Sequence, residues 1–365
     1  MSVPDPVVEA DMATILTRGA GLWGALRGRT VLLTGGSGFV GSYLVESVAA
    51  LNATYPESPC QLLLPTRSLT AVRDRWPHLV GIPYLHWFTW RGGPLEPPFA
   101  RCDYVIHGAS PADPAAYLRD PAATLREIVS MTDAVLAYAR SSGAERLLYL
   151  SSGAVYGSQP AEMEAIPEDY AGGVSLTDPR SCYAEAKRYC ELQCQLSGLP
   201  VVVARLFAFL GPYQDLHASF AVPQFLSQAI GLGRIQVQGD GLALRTFCYS
   251  SDLTLSLWTL LLRGEAGTVY NVGASSPVVS IRALAEEIAS VVGNVTVEVL
   301  GRADANNPAR NRYIPDIRRL AALYQPTVTL RESLEKVLCS TRFRHLLSSS
   351  YFGGNHLMMS GRAGA

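Results

Sequence analysis

The sequence predicts a doubly wound parallel α/β sheet followed by a smaller mixed α/β unit. Three observations point to it. From residue 30 to about residue 205, short apolar runs alternate with stretches of helical length and period, the pattern of repeated β-α units. A glycine-rich turn joins the first apolar run to the helix that follows it. The chemically suggestive residues gather at the ends of the apolar runs, where a sheet of this kind holds its ligand.

Residues 1–28 read as an N-terminal extension, helical around Val7–Thr17. The strands expected next are Val31–Leu33, Gln61–Leu64, Tyr84–Phe88, Tyr104–Ile106, Leu147–Ser151 and Val201–Leu206. Each is a short run that reads as buried on both faces. Helices are expected at Tyr43–Ala50, Ala122–Arg140 and Tyr183–Leu196. These elements make residues 29–206 a dinucleotide-binding unit of Rossmann type. After about residue 207 the elements shorten and mix, so residues 207–340 are mostly a substrate unit. The stretch 247–264 reads as a strand and a helix returning to the main sheet, within a longer return over 245–270. Residues 341–365, rich in Ser and Gly, read as a disordered tail. No internal repeat is found.

Within TVLLTGGSGFVGSYLVESV, Gly35, Gly38 and Gly41 form a G-x-x-G-x-x-G turn between strand and helix. Glycines there permit a tight turn, close backbone approach to a pyrophosphate, and close packing of helix on strand. The N-terminus of the helix that follows then offers unpaired N–H groups to phosphates.

Farther along, RSCYAEAKR places Tyr183 and Lys187 four residues apart. That spacing puts both on one helix face. There an ammonium can lower the phenol's pKa and make phenolate accessible near neutral pH. A phenol so tuned can take a proton from an alcohol as its hydride leaves.

Composition narrows the remaining possibilities. With 365 residues, 48% of them hydrophobic, the chain can bury a large core. A net charge of −1 gives no electrostatic case for nucleic acid or an anionic membrane surface. No apolar run is long enough to cross a membrane, and the N-terminus does not read as a secretory signal, so a cytoplasmic location is expected. The seven cysteines form no C-x-x-C pair and suggest neither a disulfide framework nor a metal site. Cys182 reads as a small buried residue rather than a nucleophile.

Together, TGGSGFVG, HGAS, LSSGAVYG, YAEAK and ARLFAFLGP resemble the extended short-chain dehydrogenase/reductases of the nucleotide-sugar epimerase/dehydratase branch. The resemblance runs from about residue 30 to 338, and in HGASPADPAAYLRDPAATL, RTFCYSSDL and YIPDIRRL it looks closest to UDP-glucuronate decarboxylases and related epimerases. It implies that Tyr183 is the general base, that Lys187 binds the nicotinamide ribose and lowers the tyrosine pKa, and that Ser152 supplies the partner hydroxyl. It further implies dinucleotide contacts from Gly35, Gly38, Phe39, Val40, Gly41, His107, Ala109, Ser110 and Ser151. Substrate contacts are implied for Ser110, Ser152, Gly153, Ala154, Tyr183, Ala208 and Arg245, with Arg310 or Arg312 approaching the same diphosphate or the sugar. A guanidinium fork suits phosphate oxygens.

Several positions depart from the branch pattern. Ala154 stands where an acidic residue usually precedes V-Y-G, which weighs against dehydration strongly and decarboxylation moderately. Ala208 replaces an asparagine, and HWFTWRGG lacks an acid that often contacts adenine. In LLLPTRS, Thr66, Arg67 and Ser68 replace an aspartate and suit a 2′-phosphate, so NADP stays open beside NAD. The leading expectation is an NDP-sugar epimerase acting through transient oxidation at sugar C4 with tightly held NAD. Decarboxylation of a nucleotide uronic acid, with Glu185 or a water replacing the acid, and NADPH-dependent keto-sugar reduction follow. A non-catalytic dinucleotide sensor is the reading from another class. Helices 122–140 and 183–196 would pair in a homodimer.

Overall fold

The computed structural model describes residues 5–112, 114–302 and 311–341. The chain opens with α1 (Pro6–Arg18) and proceeds through β1 (Thr30–Thr34), α2 (Phe39–Thr54), β2 (Gln61–Thr66), α3 (Leu69–Arg75), β3 (Leu85–Thr89) and β4 (Tyr104–His107). Next come α4 (Pro114–Tyr117), α5 (Pro121–Ser142), β5 (Arg146–Ser152), α6 (Cys182–Leu196) and β6 (Val201–Leu206). The second half holds β7 (Phe209–Leu210), α7 (Ala221–Leu232), β8 (Arg234–Val237), β9 (Leu244–Arg245), β10 (Cys248–Tyr249), α8 (Ser250–Arg263) and β11 (Val269–Val272). It closes with β12 (Val279–Ser280), α9 (Ile281–Val292), β13 (Thr296–Val299), β14 (Arg312–Tyr313), α10 (Arg318–Ala321) and α11 (Leu330–Cys339).

A seven-stranded sheet in the order β3-β2-β1-β4-β5-β6-β11 forms the centre, and all its pairings are parallel. Alternating side chains divide the core in two. Val31, Leu33, Leu62, Leu64, Ile106 and Leu148 pack under α1, α2 and α8. Leu32, Leu63, Val105, Leu147 and Tyr149 pack under α5 and α6. Burial on both faces is why the strands read as unbroken apolar runs. The sequence-predicted strands fall within one or two residues of those observed, whereas the helix after β1 starts earlier, at Phe39 rather than Tyr43. Helix α5 begins on Asp120, whose carboxylate accepts from Ala123 N, and ends on Gly143 at φ 73°, the left-handed terminus that glycine favours.

Two expectations are corrected. The N-terminal segment is not an appendage, because Val8, Met12 and Ile15 of α1 lie in the same core cluster as the sheet. Buried Asp11 accepts hydrogen bonds from Tyr43 of α2 (2.8 Å), Tyr249 of β10 (2.6 Å) and Lys336 of α11 (2.9 Å). The 247–264 stretch also differs. Helix α8 covers the main sheet and β11 joins it, but β10 pairs with β7 in a separate two-stranded sheet. Both sides of β6 are already taken, by β5 and β11, so no edge remains for β10 there.

A third apolar cluster joins α7, α9 and α11 to β8 and β10 in the second half. Arg310 and the segment read as a disordered tail, beyond Thr341, lie outside the described residues. Among the described residues no helix is long and apolar enough to cross a membrane.

Candidate active site

The strand order reverses between β1 and β4, and open α/β sheets bind ligands beyond the carboxyl ends of the strands at such a point. Two backbone loops meet there. Gly35 has φ 79°, and a Cβ on it would lie 2.9 Å from Ala109 N and from the Gly108 carbonyl carbon. On Gly41 a Cβ would lie 2.2 Å from Gly35 O. Gly38 caps α2 without any side-chain hydrogen bond, so the first N–H groups of the helix, around Phe39 and Val40, remain available to an anion. These features fit a dinucleotide pyrophosphate. Gly41→Ala is therefore expected to weaken NAD binding at least about tenfold, by analogy with the cost of overpacking; calorimetric titration with NAD checks this.

His107, a sequence candidate for cofactor contact, is committed internally. The hydrogen-bond network assigns its Nδ1 as acceptor from Thr34 Oγ1 (2.7 Å) and its Nε2–H as donor to Thr132 Oγ1 (3.1 Å). Burial, and then the nearby Lys187 charge, hold it down at about 3, so the ring stays neutral. It acts through Thr34, whose hydroxyl oxygen accepts from Gly108 N and Ala109 N, each at 3.1 Å. That fixes the HGAS loop against the glycine turn.

Lys187 Nζ donates to Leu150 O (2.8 Å) and lies 5.9 Å from the centre of the Tyr183 ring. Burial draws its ammonium down to about 8, which leaves it mostly charged at pH 7. Tyr183 behaves differently from the expectation drawn from spacing. Its ring stacks on Tyr117 (5.3 Å between centres, 8° between planes), and burial pushes the phenol up to about 12. Ser152 and Ser110 pull the other way, but desolvation outweighs them. Ser110 favours the phenolate by proximity, although its buried hydroxyl forms no hydrogen bond of ordinary geometry.

Ser151 and Ser152 are adjacent on β5 and therefore face opposite sides. Ser152 faces Tyr183. Ser151 donates instead to Glu191, which is held by Arg205 at 2.6 Å, so its hydroxyl serves packing between β5, β6 and α6. The same alternation separates Arg312 from Tyr313 on β14. Tyr313 is in register with Arg245 and Arg312 with Leu244, so Tyr313 shares a face with Arg245.

Tyr313 is the residue that sequence reasoning missed. A Cβ on Gly153 would lie 2.6 Å from its hydroxyl, its ring packs tilted at 34° against Phe207 with centres 4.6 Å apart, and Arg245 lies 5.6 Å from its centre. Arg245 also donates to Leu244 O (2.8 Å) and to Asn311 O (3.0 Å). Tyr117 was missed as well; both lie in segments that carry the family resemblance, HGASPADPAAYLRDPAATL and YIPDIRRL, but neither was singled out there.

The remaining candidates are placed as follows. Ala154 N donates to Ser152 Oγ (3.1 Å), fixing the serine's hydroxyl, and its methyl has no acidic proton to transfer. Ala208 O accepts from Cys248 N (3.0 Å) and the residue packs against the third cluster. Arg67 is exposed just after β2, and its carbonyl accepts from Arg91 Nε (3.3 Å). Cys182 is buried and its thiol is pushed up by burial. Among the described residues no group of His, Cys, Asp and Glu side chains is arranged to hold a metal.

The fold thus brings a glycine turn of dinucleotide-binding form to the same end of the sheet as Ser152, Tyr183 and Lys187. The sequence profile of the NAD dependent epimerase/dehydratase family matches residues 31–273, and the chain belongs to that family. UDP-glucuronic acid decarboxylase 1 of Danio rerio is 31% identical over 332 residues, which span 88% of this chain and 75% of the relative. Two solved structures share the fold. The UDP-glucose 4-epimerase of Thermotoga maritima, solved with UDP-glucose, has a TM-score of 0.68 and 20% identity, covering 87% of this chain and 99% of its own. A dTDP-glucose 4,6-dehydratase of Streptomyces venezuelae, solved with NAD, has a TM-score of 0.70 and 22% identity, covering 88% and 99%.

Proposed function

We propose that the protein acts on a nucleoside-diphosphate sugar by transient oxidation at C4, and that epimerisation at C4 is the reaction its site supports best. One observation carries this reading. The groups acting on the Tyr183 phenol are Ser152, Ser110 and Tyr117, with Lys187 beneath the ring, and Ala154 stands where a carboxylate could otherwise sit beside Ser152. Such a site can move a proton on and off one alcohol oxygen. Elimination would need a further acid.

Bound NAD supplies a reversible hydride acceptor. The chain's own residues do the rest. The glycine turn and the start of α2 hold the pyrophosphate, Lys187 keeps a positive charge under the ring of the base, and Ser152 orients the sugar hydroxyl toward Tyr183. Tyr183 takes the hydroxyl proton and later returns it. Arg245, in the second half of the chain, is the guanidinium proposed for the substrate diphosphate.

Decarboxylation of a nucleotide uronic acid is the second reading, favoured by the identity to UDP-glucuronic acid decarboxylase 1. Its replacement acid would be Glu185, which pairs with Arg188 at 3.6 Å, or a water. To separate the readings, the purified protein is given UDP-glucose or UDP-glucuronate without added cofactor, and products are read by NMR. Interconversion of UDP-glucose with UDP-galactose is expected. Release of carbon dioxide from UDP-glucuronate alone would favour the second reading, and strict dependence on added NADPH would favour a reductase using Arg67.

The exposed apolar residues Leu125, Tyr189, Leu192 and Leu196 on α5 and α6 support a homodimer through these helices. Ile128, Val135 and Leu136 are buried in the core and do not contribute to that face.

A further inference from the structure

Lys187 is only 3% exposed, and an ammonium buried without compensation tends to lose its proton. Among the described residues no carboxylate pairs with it, and its one hydrogen bond is to Leu150 O (2.8 Å). Glu191 stands one turn along α6, but it is already engaged by Arg205 (2.6 Å) and by the Ser151 hydroxyl. The other titratable groups around the ammonium have no negative charge to offer. His107 of β4 is neutral. Burial pushes up the thiols of Cys190 and Cys194 on α6 and the phenols of Tyr183 and Tyr149, so all four keep their protons at neutral pH.

What the ammonium does meet is an aromatic ring. Lys187 Nζ lies 4.9 Å from the centre of the Tyr149 ring, closer than its 5.9 Å to Tyr183. Tyr149 is fully buried on β5, next in the chain to Leu150, whose carbonyl accepts from the ammonium. On β4 its strand partner is His107, whose ring flanks it at 5.6 Å. The Tyr149 hydroxyl makes no hydrogen bond of ordinary geometry, so the ring is what this side chain contributes. An aromatic face carries negative charge density and holds a cation most strongly where water is excluded.

We propose that Tyr149 is a positioning residue whose ring keeps the buried Lys187 ammonium charged and seated at Leu150 O, beside Tyr183. The inference rests on the role given to Lys187 above, and it names the group that sustains the charge this role needs. An ammonium has three N–H donors. With one fixed at Leu150 O, two are left for a ligand. A neutral Lys187 would no longer favour phenolate at Tyr183, so the ring of Tyr149 acts on the base through the lysine and touches neither sugar nor dinucleotide itself.

The chain has two lysines, Lys187 and Lys336, so lysine with a carbon isotope label beside its ammonium gives two NMR resonances in the full-length protein. Lys336→Arg identifies which is which. The titration of the Lys187 resonance is then followed in wild type, in Tyr149→Phe, and with phenylalanines carrying one, two or three ring fluorines at position 149. Fluorine withdraws charge from the ring face while nearly preserving its shape. Tyr149→Phe is expected to titrate close to wild type, and the midpoint to fall stepwise with fluorination, by about one pH unit at the third fluorine, the scale of a desolvated cation–π contact. A midpoint unchanged across the series would overturn the proposal. So would a fall at Tyr149→Phe with no further change on fluorination, because the hydroxyl would then be the active part. Turnover gives a separate reading: the pH at which the rise in kcat/KM levels off should follow the Lys187 midpoint downward. If the midpoint moves and that profile does not, the contact stands and the assignment of Lys187 to the chemistry fails.

Discussion

Tyr183→Phe is expected to lower turnover by about 10³-fold, within the range for removing a general base, while the protein still binds its dinucleotide. Phenylalanine preserves the stack on Tyr117 and the position over Lys187, so the loss falls on proton transfer alone. In the free protein burial holds the phenol at about 12, well above working pH. The phenolate fraction therefore rises with pH throughout the neutral range, and kcat/KM should climb as pH is raised. Stopped-flow assays across that range, with the dinucleotide quantified after denaturation, check both parts. Retention of more than a tenth of wild-type turnover, or loss of bound dinucleotide, would remove Tyr183 from the role of base.

Asp11→Ala is expected to cost about 3–5 kcal/mol of stability, the usual range for breaking one side of a buried ion pair. Asp11 is fully buried. It satisfies Lys336 and two phenols that come from α2, β10 and α11. Its removal strands two buried hydroxyls and leaves the partly exposed Lys336 ammonium without its carboxylate. Urea unfolding measures the loss, and the Asp11→Ala/Lys336→Met double variant should recover part of it because the stranded charge is gone. A variant that unfolds at the wild-type midpoint would show that α1 contributes packing only. Residue 11 precedes the segment matched by the family profile, so the clasp is tested independently of the chemistry.

Much of this architecture could be read in the residues because the physics is local or periodic. Strands covered on both faces leave continuous apolar runs, and a phosphate turn needs glycines wherever a Cβ would strike backbone, as at Gly35 and Gly41. Tyr183 and Lys187 are recognisable since helical spacing alone brings them together. Other features depend on partners that no local pattern reveals. His107 looks like a contact residue, yet both ring nitrogens are engaged by Thr34 and Thr132. Strand alternation would have separated Ser151 from Ser152, and Arg312 from Tyr313, once the strand boundaries were known. Tyr313 donates to Leu206 O across 107 positions of sequence, and Asp11 meets Lys336 across 325; only the folded chain brings them together. The phenol's elevation likewise follows from burial, which helical spacing does not report.

Transient oxidation at C4 is the central claim, and deuterium at that carbon tests it most directly. The protein is incubated in ordinary water with UDP-glucose deuterated at C4, and the product is examined by NMR and mass spectrometry. The account predicts that the label stays on C4 of UDP-galactose, since the hydride leaves to the bound dinucleotide and returns without exchange, and that the deuterated sugar turns over more slowly. Inverted product that has lost its deuterium to water would contradict it, because the C4 hydrogen would then have left as a proton.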